Sequence, residues 1–254
     1  IEQIPLALPP LNEQKAIVET LGALDDKITN NTKINHHLEQ IAQAIFKSWF
    51  VDFEPWGGIM PGNWRKGVLS DICTYSKNRV SISVLKMSTY ISTENMQPNK
   101  AGYVDAGSLP TAIQTTSFKR GDVLVSNIRP YFKKIVFCDF DGGCSTDVLC
   151  FCPNEDVAPS FLFSILYDDS FFEYMLAGSK GTKMPRGDKA QIMQYSVVIP
   201  DENDFKRFEN LVRPILLKVA SNKAEFKRLG DLRDTLLPRL MSGELSVADV
   251  VSVK

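Results

Sequence analysis

Residues 12–50, NEQKAIVETLGALDDKITNNTKINHHLEQIAQAIFKSWF, decide the architecture of this chain. Apolar side chains recur there at intervals of three and four residues, except across Asn31, Asn35 and Ala42. This spacing is a heptad seam, which predicts a long α-helix that presents one side to a partner helix. At 1.5 Å per residue the helix would be about 57 Å long. The apolar positions are Leu21, Leu24, Ile28, Leu38, Ile45 and Trp49.

The same seam returns 191 residues later in the chain. Leu21 corresponds to Val212, Leu24 to Ile215, and the polar Asn31 to Asn222. A polar residue on an apolar seam sets helix register at some cost in stability, so its recurrence indicates that each seam meets a defined partner. Pairing the two helices with each other would bury both seams.

The sequence between the helices has a different texture. Short apolar runs such as GDVLVSNI, KKIVFCDF and YSVVIP are separated by glycine and proline and predict strands, and PSFLFSILYDDSFFEYMLAG predicts one or two short helices. The predicted fold class is therefore α+β: a mixed, mostly β middle domain flanked by two long α-helices that pair as an antiparallel coiled coil. The predicted segments are 1–11 (end of an upstream strand and linker), 12–57 (first long helix), 58–200 (middle domain), 201–245 (second long helix) and 246–254 (tail).

Composition limits the kind of partner. The 254 residues include 29 Lys and Arg against 30 Asp and Glu, a net charge of -1, so any surface for nucleic acid must be local. The sequence has neither a long apolar run nor a signal-peptide pattern, and we expect a cytoplasmic protein without a membrane span. The five cysteines lie in or beside apolar runs without CxxC pairs, and we expect reduced core thiols and no metal site.

One loop concentrates positive charge. GSKGTKMPRGDK, residues 178–189, combines three glycines and a proline with Lys180, Lys183, Arg186 and Lys189. Glycine lets backbone amides approach an anion closely, and Lys or Arg supplies the charge, so the loop suits a phosphate. An ordinary solvated basic loop explains the same residues, and the P-loop pattern GxxxxGK[ST] does not occur here.

Catalytic signatures are formal or absent. Pro200-Asp201 and Glu225-Phe-Lys227 formally match a metal-nuclease pattern, but about 36 Å of helix would separate the two carboxylates, which must share one ion. Glycine-rich cofactor turns and the N/D-P-P-aromatic motif of methyltransferases do not occur, and His36 and His37 point to different helix faces. We therefore expect a binding module without a catalytic residue, a bound metal or a cofactor.

Several motifs together resemble the specificity (S) subunit of Type I restriction-modification enzymes. They are IPLALPPLNEQKAIVETLGALDDKI, the helix ending LEQIAQAIFKSWFVDFEP, GDVLVSNIRPYFKKI, CSTDVLCFCP, GSKGTKMPR, VVIP and LRDTLLPRLMSGEL. They occur in order over nearly the whole chain.

This resemblance implies a target-recognition domain, about 58–200, that reads one half of a bipartite site in double-stranded DNA. It implies that the long helices act as a spacer and dock modification subunits, which bind S-adenosylmethionine and methylate DNA, with a restriction subunit joining the full complex. The chain has one recognition domain where the family pattern has two. It resembles either the C-terminal half of an S subunit or a half-size subunit that pairs with a second copy, and the sequence leaves both open.

The resemblance also makes the basic loop a DNA contact. We expect Lys180 and Lys183 to meet phosphates, and Arg186 to meet a phosphate or a guanine or to have a structural role. In SNIRP, Asn127 suits adenine, and Arg129 suits guanine or phosphate or a salt bridge beneath the sheet. Further candidates are Lys189, Thr93, Asn95, Lys77 and Arg79. The alternative function is a coiled-coil adaptor whose middle domain binds a ligand other than DNA.

Overall fold

The computed structural model describes residues 9–248, which form two compact units. One unit is Ile41–Leu217, and the other is helical, its described residues being 9–40 and 218–248. The predicted end of an upstream strand falls on residues 1–8, and most of the predicted tail falls on residues 249–254. Both lie outside the described part of the chain.

Two long helices are present, as the heptad pattern predicts. They are α1 (Leu11–Phe50) and α5 (Glu202–Met241), each of 40 residues. Helix α1 ends before residue 57, the predicted bound of its segment, because Phe53 adopts a left-handed φ of 55° and is followed by a short 3-10 turn over Glu54–Trp56. The Asp201 carboxylate accepts the Asp204 N–H at 2.8 Å and caps the start of α5.

Contacts inside the helical unit run in opposite order along the two helices. Ile17 is buried with Leu236 and Leu240, whereas Asn35, later in α1, contacts residues early in this part of α5. Asn222 Nδ2 donates to Asn35 Oδ1 at 2.8 Å, and Asn35 Nδ2 donates to the Val219 carbonyl at 3.3 Å. The asparagines that interrupt the seam are therefore buried and hydrogen-bonded to the opposite helix.

The Ile41–Leu217 unit contains ten short strands and three short helices. The helices are α2 (Pro159–Tyr167), α3 (Asp169–Ala177) and α4 (Lys189–Ile192). The strands are β1 (Arg65–Val68), β2 (Cys73–Tyr75), β3 (Arg79–Ser81), β4 (Tyr90–Ile91), β5 (Gln114–Phe118), β6 (Val123–Ser126), β7 (Ile135–Phe137), β8 (Gly142–Cys144), β9 (Val148–Pro153) and β10 (Ser196–Ile199).

The strands form two four-stranded sheets and one two-stranded ladder. The sheet orders are β2-β9-β6-β7, antiparallel throughout, and β3-β5-β8-β4, in which β4 and β8 run parallel. The ladder joins β1 to β10. The mixed helix-and-sheet architecture agrees with the predicted class.

Aromatic side chains tie the ends of both long helices to the sheets of this unit. The ring of Phe50 at the end of α1 lies 4.8 Å from that of Phe161 in α2 and 5.0 Å from that of Phe208 in α5, centroid to centroid. All three side chains are nearly or fully buried. Strand β1 is the first strand after α1, and β10 is the last strand before α5. Because these two strands pair, the chain enters and leaves the strand region side by side.

Within residues 9–248, no helix combines the length and the apolar character that a membrane span requires.

Candidate nucleic-acid interface

The basic loop 178–189 folds as a small hairpin. Lys180 and Arg186 pair across it, and the backbone N–H of each donates to the carbonyl of the other at 2.9 Å. Gly181 has a φ of +99°, which side-chain-bearing residues rarely adopt, so glycine is required for this turn. Gly178 has an ordinary φ of -91°, and a Cβ there would lie 2.4 Å from the Gln191 side chain, so a larger residue would displace that amide.

The hairpin lies against the SNIRP segment, so two motifs far apart in sequence form one surface. Arg129 N–H donates to the Pro185 carbonyl at 2.8 Å, and Gly187 N–H donates to the Asn127 carbonyl at 3.2 Å. Backbone hydrogen bonds of this kind fix the separation of the two segments whatever their exposed side chains are.

Carboxylates hold two of the basic side chains in place. Lys180 Nζ lies 2.8 Å from Asp188 Oδ2, and Arg186 Nη2 lies 3.1 Å from Asp147 Oδ1. The hydrogen bond from Lys180 lowers the pKa of Asp188, and the same bond raises the pKa of Lys180, so both groups stay charged near neutral pH. Lys183 and Arg129 are exposed and make no ion pair with a described residue.

Several known proteins are similar in sequence to this chain. The family model for the Type I restriction modification DNA specificity domain matches residues 1–40. The Type I restriction enzyme MjaIX specificity subunit of Methanocaldococcus jannaschii is 25% identical over 98% of this chain. The HindI specificity subunit of Haemophilus influenzae is 24% identical over 96% of it. The chain resembles the specificity subunits of Type I restriction enzymes.

The likeness to specificity subunits extends to the fold. The crystal structure of a Type I restriction-modification S subunit from M. genitalium superposes with a TM-score of 0.59 at 16% identity, covering 91% of this chain and 61% of that one. The chain spans 62% of the length of the M. jannaschii specificity subunit and 70% of the H. influenzae one.

The Asn127 side chain does not reach the surface of the Ile41–Leu217 unit. It is 8% exposed, and its Oδ1 is buried and has no hydrogen-bond partner among the described residues. A Cβ on Gly187 would lie 2.9 Å from this oxygen, so the amide sits beneath the hairpin. Arg129 is exposed, and the alternative of a salt bridge beneath the sheet is absent from the described residues.

Asn95 and Thr93 belong to a loop with its own internal hydrogen bonds. Asn95 is 5% exposed; its Nδ2 donates to the carbonyls of Tyr90 and Val104 at 2.9 Å each, and its Oδ1 accepts the Ser92 N–H. An amide so engaged holds the loop together, and we remove Asn95 from the candidate surface. Thr93 is half-buried, and its carbonyl accepts Lys134 Nζ at 2.6 Å.

The remaining candidates are Lys189, Lys77 and Arg79. Lys189 Nζ lies 6.0 Å from the ring centroid of Tyr75, whose hydroxyl donates to the Lys189 carbonyl. Lys77 is exposed two residues after that tyrosine. Arg79 donates to Thr116 Oγ1 at 3.4 Å and to the Gln114 carbonyl at 3.3 Å, and so braces β3 against β5.

Sequence reasoning missed the residues that follow Arg129. Tyr131 and Phe132 are 47% and 37% exposed, and Lys133 and Lys134 come directly after them. The signal in the sequence was the juxtaposition of aromatic and basic residues in RPYFKK, a composition typical of surfaces that bind nucleic acid.

Three potential metal ligands also converge, away from the hairpin. Cys150 Sγ lies 3.6 Å from Asp122 Oδ2 and 3.9 Å from Cys152 Sγ, and these are the only such group among residues 9–248. Thiol hydrogen bonds account for the grouping. A hydrogen bond with Cys152 and burial raise the pKa of the Cys150 thiol. All five cysteines are unpaired, and four are fully buried.

Gly187 is buried within the hairpin and lies directly against Asn127 of the other segment. We expect Gly187→Ala to force the hairpin away from Asn127, since the new Cβ would lie 2.9 Å from Asn127 Oδ1 as well as 2.7 Å from Met175 Cε. Overpacking of this kind costs about 1–3 kcal/mol. Urea denaturation measures the loss, and amide hydrogen exchange at Arg129 measures the separation. Gly107→Ala, which meets nothing within 4 Å, is the control; equal stability and equal protection in both variants would contradict this interpretation.

Proposed function

We propose that this chain is a DNA-binding specificity subunit of a Type I restriction-modification system, and that the hairpin 178–189 with the adjoining segment 127–134 contacts the DNA. The observation that carries the proposal is the backbone hydrogen bonding that joins these two basic segments into one surface. The near-neutral net charge of -1 means that this concentration of positive side chains is local.

The ion pairs of the hairpin leave its cations available to phosphates. An exposed Lys–Asp or Arg–Asp pair contributes only about 0–1 kcal/mol, because water screens it and ordering two side chains costs entropy. Lys180 is 82% exposed and Arg186 is 54% exposed, so exchange of a carboxylate for a phosphate costs little. Asp147 also orients the Arg186 guanidinium before DNA arrives, which suits a two-pronged contact with guanine.

Catalysis is assigned to partners. We propose that the chain itself neither methylates nor cuts DNA and that S-adenosylmethionine binds the modification subunit, because the sequence lacks a glycine-rich cofactor turn and a methyltransferase motif. Glu225, one half of the formal nuclease pattern, pairs with Lys27 at 2.6 Å and accepts a hydrogen bond from Asn31. These contacts support a structural role for that carboxylate.

We further propose that α1 and α5 pair as an antiparallel coiled coil that separates two recognition domains. The opposite order of contacts, the Asn35–Asn222 hydrogen bond and the ion pair of Asp25 with Arg233 at 2.7 Å support the pairing. Asparagine inside such a seam fixes register, because any shift would bury an unsatisfied amide.

The internal repeat supports a second recognition domain, either upstream or in a second copy. Phe46 and Phe50 are 8% and 4% exposed in the core of the Ile41–Leu217 unit, whereas their repeat equivalents Leu237 and Met241 are 43% and 44% exposed. A second domain packed on α5 would bury those two side chains as the first domain buries the phenylalanines. Together the two domains would read a bipartite site.

Several exposed apolar side chains on the long helices are available to partners. Val18 and Ile34 on α1 and Leu232 on α5 are 70%, 45% and 45% exposed. A partner that docked on the helices would bury such side chains, which is favourable because it removes apolar surface from water. We propose that modification subunits dock there, and that a restriction subunit joins the assembled complex.

Lysine substitutions test the DNA surface. We expect Lys180→Ala and Lys183→Ala to weaken binding similarly on every duplex and to reduce the slope of log K against log salt by about 0.9 for each lost phosphate contact. Arg186→Ala should in addition change base preference, by about 1–3 kcal/mol if it reads a guanine. Electrophoretic mobility shifts at several salt concentrations measure both effects.

The exposed Lys66 of β1, which is hydrogen-bonded to neither segment, supplies the control substitution Lys66→Ala. If the three hairpin variants bind DNA as the control does, the hairpin is not on the DNA face. If the unmodified chain shows no salt-dependent binding to any duplex, the adaptor function with a different ligand is the better interpretation.

Helix length tests the spacer role. Insertion of seven residues after Asn31 and seven after Asn222 keeps the heptad phase and lengthens the pair by about 10.5 Å. With DNA rising about 3.4 Å per base pair, the half-sites should lie about 3 base pairs further apart. The lengthened chain is co-purified with modification subunits. Methylation by that complex is then measured on duplexes whose half-sites are separated by different numbers of base pairs. If a folded and active variant keeps the original half-site spacing, the helices do not set that distance. If the variant no longer co-purifies with modification subunits, those subunits bind at the altered region of the helices.

A further inference from the structure

Backbone strain in the Ile41–Leu217 unit is concentrated in two touching turns. Among the described residues, five non-glycine residues have positive φ, and four of them are Asn99 (55°), Lys100 (63°), Arg129 (51°) and Lys133 (50°). Side-chain-bearing residues keep this conformation only where the surroundings enforce it, and such residues cluster at functional sites. The prolyl turn over Pro130–Phe132 lies between the last two.

Hydrogen bonds and ion pairs enforce the conformation from three sides. Asn99 N–H donates to the Phe132 carbonyl at 2.8 Å, Lys100 N–H donates to the Lys133 carbonyl at 2.9 Å, and Arg129 N–H donates to the hairpin. From α3, Asp169 Oδ1 lies 2.6 Å from Lys100 Nζ and 3.0 Å from Lys133 Nζ. The prolyl turn is therefore held rigidly on its scaffold before any ligand binds.

The held turn presents an aromatic tip. The rings of Tyr131 and Phe132 contact each other, with centroids 4.7 Å apart, and Lys134 Nζ lies 5.8 Å from the Phe132 ring centroid. Tyr131 is 47% exposed, and its hydroxyl has no hydrogen-bond partner among the described residues. The Phe132 ring lies against the Tyr131 ring at an interplanar angle of 54° and limits the directions in which Tyr131 can turn.

Positive charge surrounds the tip. Arg129 and Lys133 flank the aromatic pair in the chain, and Arg186 is joined to this segment through the Ile128–Arg186 bridge. A tip that docked on an apolar protein surface would have to desolvate Arg129, which makes no ion pair with a described residue, together with the ion pairs of Lys133 and Arg186, whereas nucleic acid places phosphates beside its bases. The chemistry therefore favours a duplex as the occupant.

We propose that Tyr131 is an apolar wedge that enters the base stack at one step of the target and discriminates among sequences by how readily that step unstacks. This inference rests on the proposed DNA-binding function and adds a recognition mode to it. Rigid apolar side chains inserted between base pairs unstack and kink the duplex, and the energy needed depends on the sequence of the step. The flanking cations would hold the phosphates on either side of the opened step.

Fluorescence of 2-aminopurine tests the wedge. Duplexes that the chain selects from a random pool are synthesised with 2-aminopurine at successive positions, and we expect a rise in fluorescence at one step when the full chain binds. Tyr131→Ala should abolish the rise and lower the preference for selected over random duplex by about tenfold, with random-duplex affinity unchanged because the lysines still contact phosphates. Tyr131→Phe should keep both the rise and the preference, because the ring alone enters the stack.

Phe226→Ala is the matched control, since Phe226 is 45% exposed on α5 and belongs to neither segment; it should behave as the unmodified chain. If Tyr131→Ala keeps the fluorescence rise and the preference while Lys183→Ala weakens binding, the DNA surface stands and the wedge is wrong. If Tyr131→Ala instead abolishes capture of modification subunits and leaves DNA binding unchanged, the tip is a protein contact. A chain that binds no duplex at all overturns both the proposed function and the wedge.

Discussion

The packing of Phe50 against Phe161 and Phe208 is the interaction on which the rest of the structure depends. These three buried rings belong to α1, α2 and α5, and the centroids of Phe161 and Phe208 lie 4.8 and 5.0 Å from that of Phe50. Complete burial of a phenylalanine contributes about 1.5–3 kcal/mol. The cluster therefore joins the end of α1 to the start of α5 and to α2, which α3 and the hairpin follow in the chain.

The proposed DNA surface is built by backbone geometry and completed by side-chain charge. Pro185 and Asn127 supply carbonyls, Arg129 and Gly187 supply amides, and these hydrogen bonds set the distance between the two basic segments. The carboxylates of Asp147, Asp169 and Asp188 then hold individual cations without removing them from solvent. A chain with almost no net charge can in this way offer phosphates a preorganised positive surface.

The helices, strands and overall class could be predicted because their signals are periodic. A heptad seam and its repeat identify α1 and α5, and short apolar runs between glycines identify most of the strands. The resemblance to specificity subunits likewise rested on ordered motifs. The sequence predicted a register-setting role for Asn31 and Asn222 because a polar residue on an apolar seam lowers stability and typically serves to set register.

Individual contact residues were harder to predict because exposure depends on tertiary structure. Asn95 and Asn127 were both expected to face DNA, yet both side chains are buried. The amide of Asn95 is fully used in hydrogen bonds, and that of Asn127 is covered by the hairpin. The contact of Arg129 with Pro185 uses backbone atoms, which leave no residue-type signature. Left-handed Arg129 and Lys133 are unexpected for the same reason, since tertiary hydrogen bonds override their local preference. Tyr131 gave a weak signal that composition alone could not separate from an ordinary surface tyrosine.

Photochemical cross-linking tests the central claim, that the surface formed by residues 127–134 and 178–189 faces DNA. A selected duplex carrying 5-iodo-deoxyuridine at each thymine position is irradiated with the full chain, and the linked peptides are identified by mass spectrometry. We expect cross-links within those two segments, suppressed by excess unlabelled selected duplex. Cross-links confined to other parts of the chain, such as the long helices or β3 and β5, would contradict the claim.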